Sequence, residues 1–347
     1  MTIWSRRLAV VVAIALTAAM TPGAAAARPA ASSGSSVPSG GSTLSLGTDG
    51  RLTVLVIGSD YRPGYTTERT DVMMVVSLDP AAGTVAIASV PRDTVHVPRA
   101  LTNGGGNTGS ARINGMMWGY HGLLTQRLAR FKDDIAFTLG IEIDYYAYVR
   151  FTGFDALVAA IEGATVDIPA RIIDRNYNDY GSLPFGIKFP VATGYWLGGA
   201  STPPCPDWTV DCDRALPYVR SRHGKVGTVS NSDWMREGRQ QVFMIAIITK
   251  VLARGPDTGS ETPLSDLRDA IADPDVNLGV TTDMPTTLAD AVQLFTWLGS
   301  APTVSAQVVF KPSKWESQHS GDPTYTYRLR LAKVRGWIAT HMPAVLP

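Results

Sequence analysis

The stretch Leu52-Thr-Val-Leu-Val-Ile57 decides the fold of this chain, and the polar motif Gly58-Ser-Asp-Tyr-Arg62 follows it directly. A continuous apolar run rich in β-branched residues is typical of a strand that is buried on both faces, as at the centre of an α/β sheet. Because the run stops at Gly58, we expect Asp60 and Arg62 to lie just beyond the end of that strand.

A β-hairpin is predicted immediately downstream. The apolar runs 72–78 and 85–90 are separated by the turn sequence Asp79-Pro-Ala-Ala-Gly83. In such a hairpin the start of the first strand lies beside the end of the second, so Asp71 and Arg92 should be neighbours across the ladder.

Strand direction brings these groups together. If the run 52–57 lies parallel to the run 85–90, its carboxyl end reaches the same edge of the sheet. Asp60, Arg62, Asp71 and Arg92 would then share one rim, and Asp93 follows Arg92 directly.

A third charged group lies much later in the chain. Arg220 and Arg222 leave a predicted helix over 214–219, and a longer helix is predicted over 232–253 with Asn231 or Ser232 as its N-cap. Spacings of three and four residues place its polar residues on one face of the first two turns. These residues are Asp233, Arg236 and Gln240.

Aspartates paired with arginines indicate a divalent metal and a phosphate ester. Mg²⁺ prefers hard carboxylate oxygens and leaves its other positions to water and substrate phosphate. The planar guanidinium fork binds phosphate through two hydrogen bonds, which lysine cannot reproduce.

The remaining apolar patterns complete an α/β fold. We predict one helical stretch over 114–139, a strand over 145–151, a helix over 154–161 and a strand over 164–168. Farther along, helical patterns cover 264–272, 287–298 and 327–342, and a strand pattern covers 304–310.

Composition limits the function classes. The 347 residues are 45% hydrophobic and 18% charged, which is ordinary for a globular fold. The formal net charge of +1 argues against nucleic-acid binding, which usually requires a basic face over the whole domain. An anion site in this chain must therefore be local.

The N-terminal residues predict export. Arg6 and Arg7 precede an apolar run and a small-residue Ala-x-Ala end, so residues 1–27 are predicted to be a signal peptide or an N-terminal anchor. Residues 28–50 are rich in Ala, Ser, Gly and Pro and are predicted to be a disordered linker. Residues 51–347 then form a single domain outside the cytoplasm, where ATP chemistry is not expected.

Cys205 and Cys212 are the only cysteines. In an exported protein, an even count within a proline-rich loop predicts a disulfide. A zinc site is the alternative, and it would need two further ligands, for which His223 and nearby aspartates are the candidates.

The motifs together resemble the LytR-CpsA-Psr family of bacterial cell-envelope proteins. The resemblance covers residues 52–254 and rests on the order and spacing of short blocks. These blocks are Gly58-Ser-Asp-Tyr-Arg62, Arg69-Thr-Asp71, Ser89-Val-Pro-Arg-Asp93, Arg112-Ile-Asn114, Phe151-Thr-Gly-Phe154, Tyr218-Val-Arg-Ser-Arg222 and Asp233-x-x-Arg236-x-x-Arg239-Gln240.

The resemblance implies a three-layer α/β/α domain with a central mixed β-sheet. It also implies an enzyme that transfers a glycan phosphate from a polyprenyl-pyrophosphate carrier to peptidoglycan or another wall acceptor, secreted or anchored at the outer face of the cytoplasmic membrane. Asp60 and Asp71 match metal-contacting aspartates for Mg²⁺ or Mn²⁺, and Arg92 matches an arginine beside the pyrophosphate. Arg220, Arg222 and Gln240 match further phosphate contacts, while Arg62, Asp93, Asp233 and Arg236 fall in the same motifs.

Three questions stay open at this stage. The catalytic base is an aspartate, which can be Asp60, Asp71 or Asp93. A pyrophosphatase that uses water as acceptor, or a non-catalytic lipid carrier, would carry the same site. A Met- and aromatic-rich stretch is the candidate lipid pocket, with core packing as the alternative; it contains Met116, Met117, Trp118, Leu124 and Phe131.

Overall fold

The computed structural model describes residues 44–61, 68–178, 185–254, 280–285, 290, 293–294, 296–297, 303–311, 314–318 and 326–343. At its centre lies a six-stranded mixed sheet. In spatial order the strands are β12 (Val280–Thr282), β5 (Tyr145–Arg150), β1 (Leu52–Ser59), β2 (Thr70–Asp79), β3 (Thr84–Ser89) and β13 (Thr303–Val309).

Strand β1 occupies a central position, as its continuous apolar run predicts. It pairs in parallel with β5 on one side and antiparallel with β2 on the other, while β2 pairs antiparallel with β3. β1 and β3 therefore run in the same direction, and the predicted hairpin is confirmed.

Shorter strands surround this sheet. They are β4 (Thr94–Val95), β6 (Ala164–Ile168), β7 (Ile172–Asp174), β8 (Ile187–Phe189), β9 (Ala192–Leu197), β10 (Lys225–Val226), β11 (Val229–Ser230), β14 (Glu316–Gln318) and β15 (Tyr327–Leu329). The helices are α1 (Ile113–Met116), α2 (Leu124–Leu139), α3 (Phe151–Ala160), α4 (Ala215–Arg220), α5 (Asp233–Arg254) and α6 (Leu331–His341), with short 3₁₀ turns at Leu101–Asn103 and Met117–Gly119.

Side-chain alternation along β1 divides the core into two parts. Val54 and Val56 face a cluster that includes residues of α3, α4 and α5, whereas Leu55 and Ile57 face a second cluster with residues of α2 and α6. Because successive side chains of a strand point to opposite faces, helices cover both sides of the sheet. The predicted α/β/α architecture is confirmed.

Two helical predictions were wrong in extent. The pattern over 114–139 is interrupted between the 3₁₀ turn and α2, where Gly122 adopts a left-handed φ of 110°. The pattern over 327–342 begins with β15 before α6, so only its second part is helical. The predicted helix over 264–272 lies outside the described residues.

The linker prediction was also too long. Leu44 is only 6% exposed within the core, and its N–H donates to Asp290 at 2.8 Å. Thr48 donates to Glu142 through both its amide and its hydroxyl. The folded domain therefore includes residues 44–50, because a buried leucine and hydrogen bonds to distant parts of the chain hold this segment. Residues 1–27 lie outside the described part of the chain.

The disulfide prediction is confirmed, since Cys205 and Cys212 are joined. Both are buried in the cluster on the α5 side of the sheet. Among the described residues, no helix has the length and apolarity that crossing a bilayer requires.

Candidate active site

A cavity of about 240 Å³ opens where β1 and β2 meet the starts of α3 and α5. Its rim collects residues from all three charged groups predicted from the sequence. The charged and polar residues that line it are Asp60, Arg69, Asp71, Arg92, Arg150, Arg220, Arg222, Arg236 and Gln240.

The hairpin places Asp71 and Arg92 side by side. Arg92 donates through Nη1 to Asp71 Oδ2 at 2.7 Å, and both residues lie at the ends of paired strands. Burial alone lowers the pKa of Arg92, but the charges of Asp71, Asp93 and Asp233 outweigh it and raise the pKa above its ordinary value. Arg92 therefore remains a cation at the base of the cavity.

A backbone contact fixes Asp60 at the same rim. Asp60 exchanges hydrogen bonds with Arg69: its N–H donates to the Arg69 carbonyl at 3.0 Å, and its Oδ1 accepts from the Arg69 N–H at 2.6 Å. Gly58 permits the close approach of β1 and β2 beside it, because a Cβ there would lie 2.7 Å from Val72 Cγ2. The register shifts between Gly58 and Ser59, which directs Asp60 out of the ladder.

The carboxylates of this rim fit a divalent metal. Asp71 Oδ1 is buried and has no hydrogen-bond partner among the described residues, while Oδ2 is paired with Arg92. Asp60 lines the same cavity. Mg²⁺ is commonly held by one or two carboxylates together with substrate phosphates. The part of the chain that is described contains no cluster of three or more metal-ligating side chains, so two aspartates and a phosphate are the donor set that this rim can offer.

Helix α5 supplies the opposite wall. Ser232 caps it by accepting the Met235 N–H at 3.3 Å, which confirms one of the two predicted caps. Arg236 pairs with Asp233 at 2.9 Å, and Asp233 also lies 3.6 Å from Arg222. Asp233 thus orients two arginines of the rim without lining the cavity itself.

Contacts at the C-terminal end of α4 hold Arg220 and Gln240 in place. Arg220 lies 4.2 Å from the centre of the Phe151 ring and donates to the Tyr177 hydroxyl at 3.2 Å. Gln240 donates through Nε2 to the Val219 carbonyl at 3.0 Å. The aromatic ring and the hydroxyl thus orient the Arg220 guanidinium at the wall of the cavity.

Asp93 lies behind the rim rather than on the cavity surface. It is 3.6 Å from Arg92 and 3.2 Å from Arg112, so it links the Pro-Arg-Asp motif to the Arg-Ile-Asn motif. Arg62 lies outside the described residues.

The depth of the cavity is apolar. Residues of the strands form one of its walls. The opposite wall is formed by apolar residues of α5 that lie on the same helix face as Arg236 and Gln240. The apolar lining residues are Val56, Val72, Met74, Val149, Phe151, Phe154, Leu216, Val219, Phe243, Met244 and Ile247. Charged head and apolar depth together match an amphiphilic ligand.

The residues of the predicted lipid pocket do not line this cavity. Met116, Met117 and Phe131 are buried in the cluster on the other face of the sheet, and Leu124 packs against that cluster. Trp118 is 37% exposed and lies 5.1 Å from the Arg127 guanidinium. The stretch packs as core because its apolar face is directed at α6 and the far side of β1, away from the cavity.

Sequence reasoning missed Arg150 and Glu68. The two form a salt bridge at 3.0 Å, and Arg150 lies 4.0 Å from the centre of the Tyr61 ring. Arg150 is the last residue of β5 and directly precedes the Phe-Thr-Gly-Phe block. Because β5 is parallel to β1, the carboxyl ends of both strands lie at the same edge of the sheet, and this rule would have identified Arg150.

Glu237 is a second residue that the sequence did not reveal. It is 3% exposed, and neither carboxyl oxygen has a hydrogen-bond partner among the described residues. Burial raises the pKa of Glu237 to about 8, opposed by the charges of Arg236 and Arg92. A buried carboxyl that retains its proton near neutral pH thus lies behind the rim.

Several curated proteins are similar to this chain in sequence. The chain is 31% identical over 205 residues to the teichoic acid transferase TagV of Bacillus subtilis. The aligned region covers 58% of this chain and 44% of that protein. It is 26% identical over 262 residues to the cell wall biosynthesis protein LcpA of Corynebacterium glutamicum, covering 64% of this chain and 44% of that protein. The chain spans about half the length of the curated relatives it matches.

Solved structures share the fold. The crystal structure of B. subtilis TagV superposes with a TM-score of 0.54 at 20% identity, covering 86% of this chain and 99% of that one. A structure of TagT bound to LI-WTA superposes with a TM-score of 0.52 at 19% identity, covering 84% of this chain and 90% of that one. A model of the LytR_cpsA_psr family matches residues 20–293, and the chain therefore belongs to the LytR_cpsA_psr family.

Proposed function

We propose that this protein transfers a glycopolymer phosphate from a polyprenyl-pyrophosphate carrier to a cell-wall acceptor such as peptidoglycan, outside the cytoplasmic membrane. The observation that carries the proposal is the cavity with an arginine and aspartate rim above an apolar depth. A lipid diphosphate has the same division, with charge at one end and hydrocarbon at the other. The names of the TagU and TagV relatives, which are teichoic acid transferases acting on peptidoglycan, support the same reaction class.

The chain's own residues act mainly by positioning and charge. Arg92, Arg220 and Arg236 hold the non-bridging oxygens of the diphosphate, because guanidinium forks match phosphate geometry. Gln240 and Asp233 keep this wall in place. When bound at Asp60 and Asp71, Mg²⁺ or Mn²⁺ supplies further neutralisation of phosphate charge.

The proposed transfer is a nucleophilic displacement at phosphorus. The acceptor hydroxyl oxygen attacks the phosphorus nearer the glycan, forming a new oxygen–phosphorus bond. The bond from that phosphorus to the bridging oxygen breaks, and polyprenyl monophosphate leaves with the electron pair. The hydroxyl proton passes to a carboxylate of the rim, for which Asp60 and Asp71 are the candidates, whereas Asp93 lies behind the rim.

Turnover of a defined lipid donor tests this proposal. The full chain in detergent is incubated with a polyprenyl-diphosphate-linked disaccharide and Mg²⁺, with or without peptidoglycan fragments, and the products are separated by mass. Polyprenyl monophosphate together with a glycan phosphate linked to the fragment is the expected result. Free glycan phosphate regardless of acceptor would instead indicate a pyrophosphatase, and saturable binding without cleavage would indicate a lipid carrier.

A further inference from the structure

Three strand ends meet beside Asp60, and one buried ion pair spans them. Ser59, the last residue of β1, lies opposite Arg150 of β5 on one side and opposite Thr70 of β2 on the other. Glu68 precedes β2 in the chain, yet its carboxylate pairs with Arg150 at 3.0 Å. The ion pair therefore reaches across the end of β1 and connects the segment that leads into β2 with β5.

The geometry of this ion pair makes it rigid. The two oxygens of Glu68 accept from Arg150 Nε at 3.1 Å and from Nη2 at 3.0 Å, and the Ser59 hydroxyl donates to the same carboxylate. The side chains of Glu68 and Arg150 are only 5% and 12% exposed. A guanidinium that meets a carboxylate through two parallel hydrogen bonds fixes orientation as well as distance. Removal of either partner would leave a buried charge without its counterion, which strongly favours the paired state.

Arg150 extends the constraint to the residue after Asp60. Its guanidinium carbon lies 4.0 Å from the centre of the Tyr61 ring, a distance at which a cation is attracted to the ring face. The Tyr61 N–H donates to the Ser59 hydroxyl oxygen at 3.2 Å. Asp60 therefore lies between two residues that both contact the ion pair.

From these contacts we infer that Glu68 and Arg150 are positioning residues, which hold the Asp60 carboxylate at the rim where the divalent metal would bind. Asp60 hydrogen-bonds to the backbone of Arg69, the residue directly after Glu68, so the ion pair constrains both ends of this contact. Although Arg150 lines the cavity, its Nε and Nη2 edge is occupied by Glu68. The inference rests on the proposed metal-assisted transfer and adds what sets the geometry of its metal site.

Hydrogen exchange of the full chain tests the inference without metal, lipid or turnover. The variants are Glu68→Gln and Arg150→Gln. In each of them the amides of Asp60 and Arg69 should exchange about tenfold faster than in the wild type, because a local opening no longer breaks the ion pair. Asp79→Asn is the matched control, since it removes a charge from a buried ion pair at the opposite end of β1 and β2. It should leave the exchange of the two amides within about twofold of the wild-type rate.

Metal affinity separates positioning from a general loss of stability. Mn²⁺ binding, followed by electron paramagnetic resonance, should weaken about tenfold in Glu68→Gln and in Arg150→Gln, as loss of a group that orients a metal ligand commonly does. Asp79→Asn should retain the wild-type affinity. The double variant of Glu68 and Arg150 should lose no more than the weaker single variant, because the two side chains act as one unit. It leaves neither charge of the pair buried alone, so it carries both measurements if a single variant fails to fold. Affinity for inorganic pyrophosphate without metal should not change.

Unchanged exchange of the Asp60 and Arg69 amides, or unchanged Mn²⁺ affinity, in both single variants would overturn the inference. So would tighter pyrophosphate binding in Glu68→Gln together with weaker binding in Arg150→Gln, since Arg150 would then contact the anion directly and Glu68 would only neutralise it. Failure of the transfer proposal has a different signature, because it is seen as absence of lipid-donor cleavage by the wild type while amide exchange and Mn²⁺ affinity remain measurable.

Discussion

Asp71 Oδ2 and Arg92 Nη1 lie 2.7 Å apart at the ends of neighbouring strands, while the other oxygen of Asp71 is buried without a hydrogen-bond partner among the described residues. In the described part of the chain, only one of the two carboxylate oxygens of Asp71 is therefore hydrogen-bonded. One oxygen pairs with the arginine, and the other is the one that the divalent metal proposed above would use.

Replacement of Asp71 tests the metal assignment. We expect Asp71→Ala to lower the rate of lipid-diphosphate cleavage by about a hundredfold or more, as losing a group that stabilises transition-state charge commonly does. The same variant should lose the increase in melting temperature that Mg²⁺ gives the wild type. Asp133→Asn, an exposed change on α2, is the matched control. Full turnover and a retained Mg²⁺ shift in Asp71→Ala would contradict the assignment.

The shape of the Arg92 side chain, as well as its charge, should matter. Arg92 reaches Asp71 through Nη1 and lies near Asp93 through Nε, and the point charge of an ammonium does not reproduce this planar placement of two nitrogens. We expect Arg92→Lys to reduce kcat/KM about ten- to a hundredfold, equal to roughly 1–3 kcal/mol of transition-state stabilisation. Steady-state kinetics measures this loss, and Arg130→Lys serves as control. Wild-type kinetics in Arg92→Lys would leave Arg92 with a structural role only.

A larger side chain in the apolar depth of the cavity should lower the affinity for lipids with long hydrocarbon chains. Ile247 lines the cavity two turns beyond Gln240 on α5, so Ile247→Trp should weaken binding of a long-chain polyprenyl diphosphate about tenfold or more, since each excluded methylene forfeits roughly 0.8 kcal/mol. Affinity for inorganic pyrophosphate should not change.

Two comparisons make this test specific. Ile245→Trp on the same helix lies outside the cavity and should leave lipid affinity intact. Met117→Ala, in the core on the other face of the sheet, should lower the free energy of unfolding by about 2–5 kcal/mol without altering chain-length preference. A change in chain-length preference in Met117→Ala alone would return the lipid pocket to the stretch first predicted.

Glu237 should make stability depend on pH. Its pKa is raised from 4.5 to about 8 by burial, so the folded state keeps a proton that the unfolded chain has released. Between pH 4.5 and about 8 the free energy of unfolding should therefore fall as pH rises, by at most about 1.4 kcal/mol per pH unit from this group. Above that window its contribution is constant.

Denaturation across this range checks the sign of the effect. Glu237→Gln carries no titrating proton, so its stability should decline less steeply from pH 5 to 8 than that of the wild type. The surface change Glu162→Gln should keep the wild-type slope. Parallel slopes for wild type and Glu237→Gln would show that Glu237 is ionised in the folded state.

The disulfide should stabilise the fold without taking part in chemistry. Closing the loop between Cys205 and Cys212 removes about 2–3 kcal/mol of unfolded-state entropy in the chain-entropy account. We expect Cys205→Ser with Cys212→Ser to lower the denaturation midpoint accordingly while lipid-diphosphate cleavage stays at the wild-type level. Reductant should reproduce the loss in the wild type and add nothing in the double variant.

Much of the site could be predicted from sequence because it depends on local periodicity. Neighbouring strand ends lie at one edge of a sheet, and this rule placed Asp60, Asp71 and Arg92 at one rim. Helical spacing placed Arg236 and Gln240 on one face of α5. These relations involve residues that are adjacent in the ladder or within two turns of a helix, so chain geometry alone fixes them.

Long-range packing decided the rest. The apolar pattern of 116–131 showed that one face is buried, but periodicity does not say which surface covers it, and α6 does so instead of a lipid. Arg150 and Glu237 acquire their surroundings from segments distant in sequence, since Arg150 pairs with Glu68 and Glu237 lies near Arg92. The sequence by itself determined the central strand, the hairpin and the charged rim, whereas only the tertiary structure decided where the apolar cavity lies. The physical reason is that side-chain alternation in β1 makes both faces of the sheet equally apolar, and only the packed helices distinguish them.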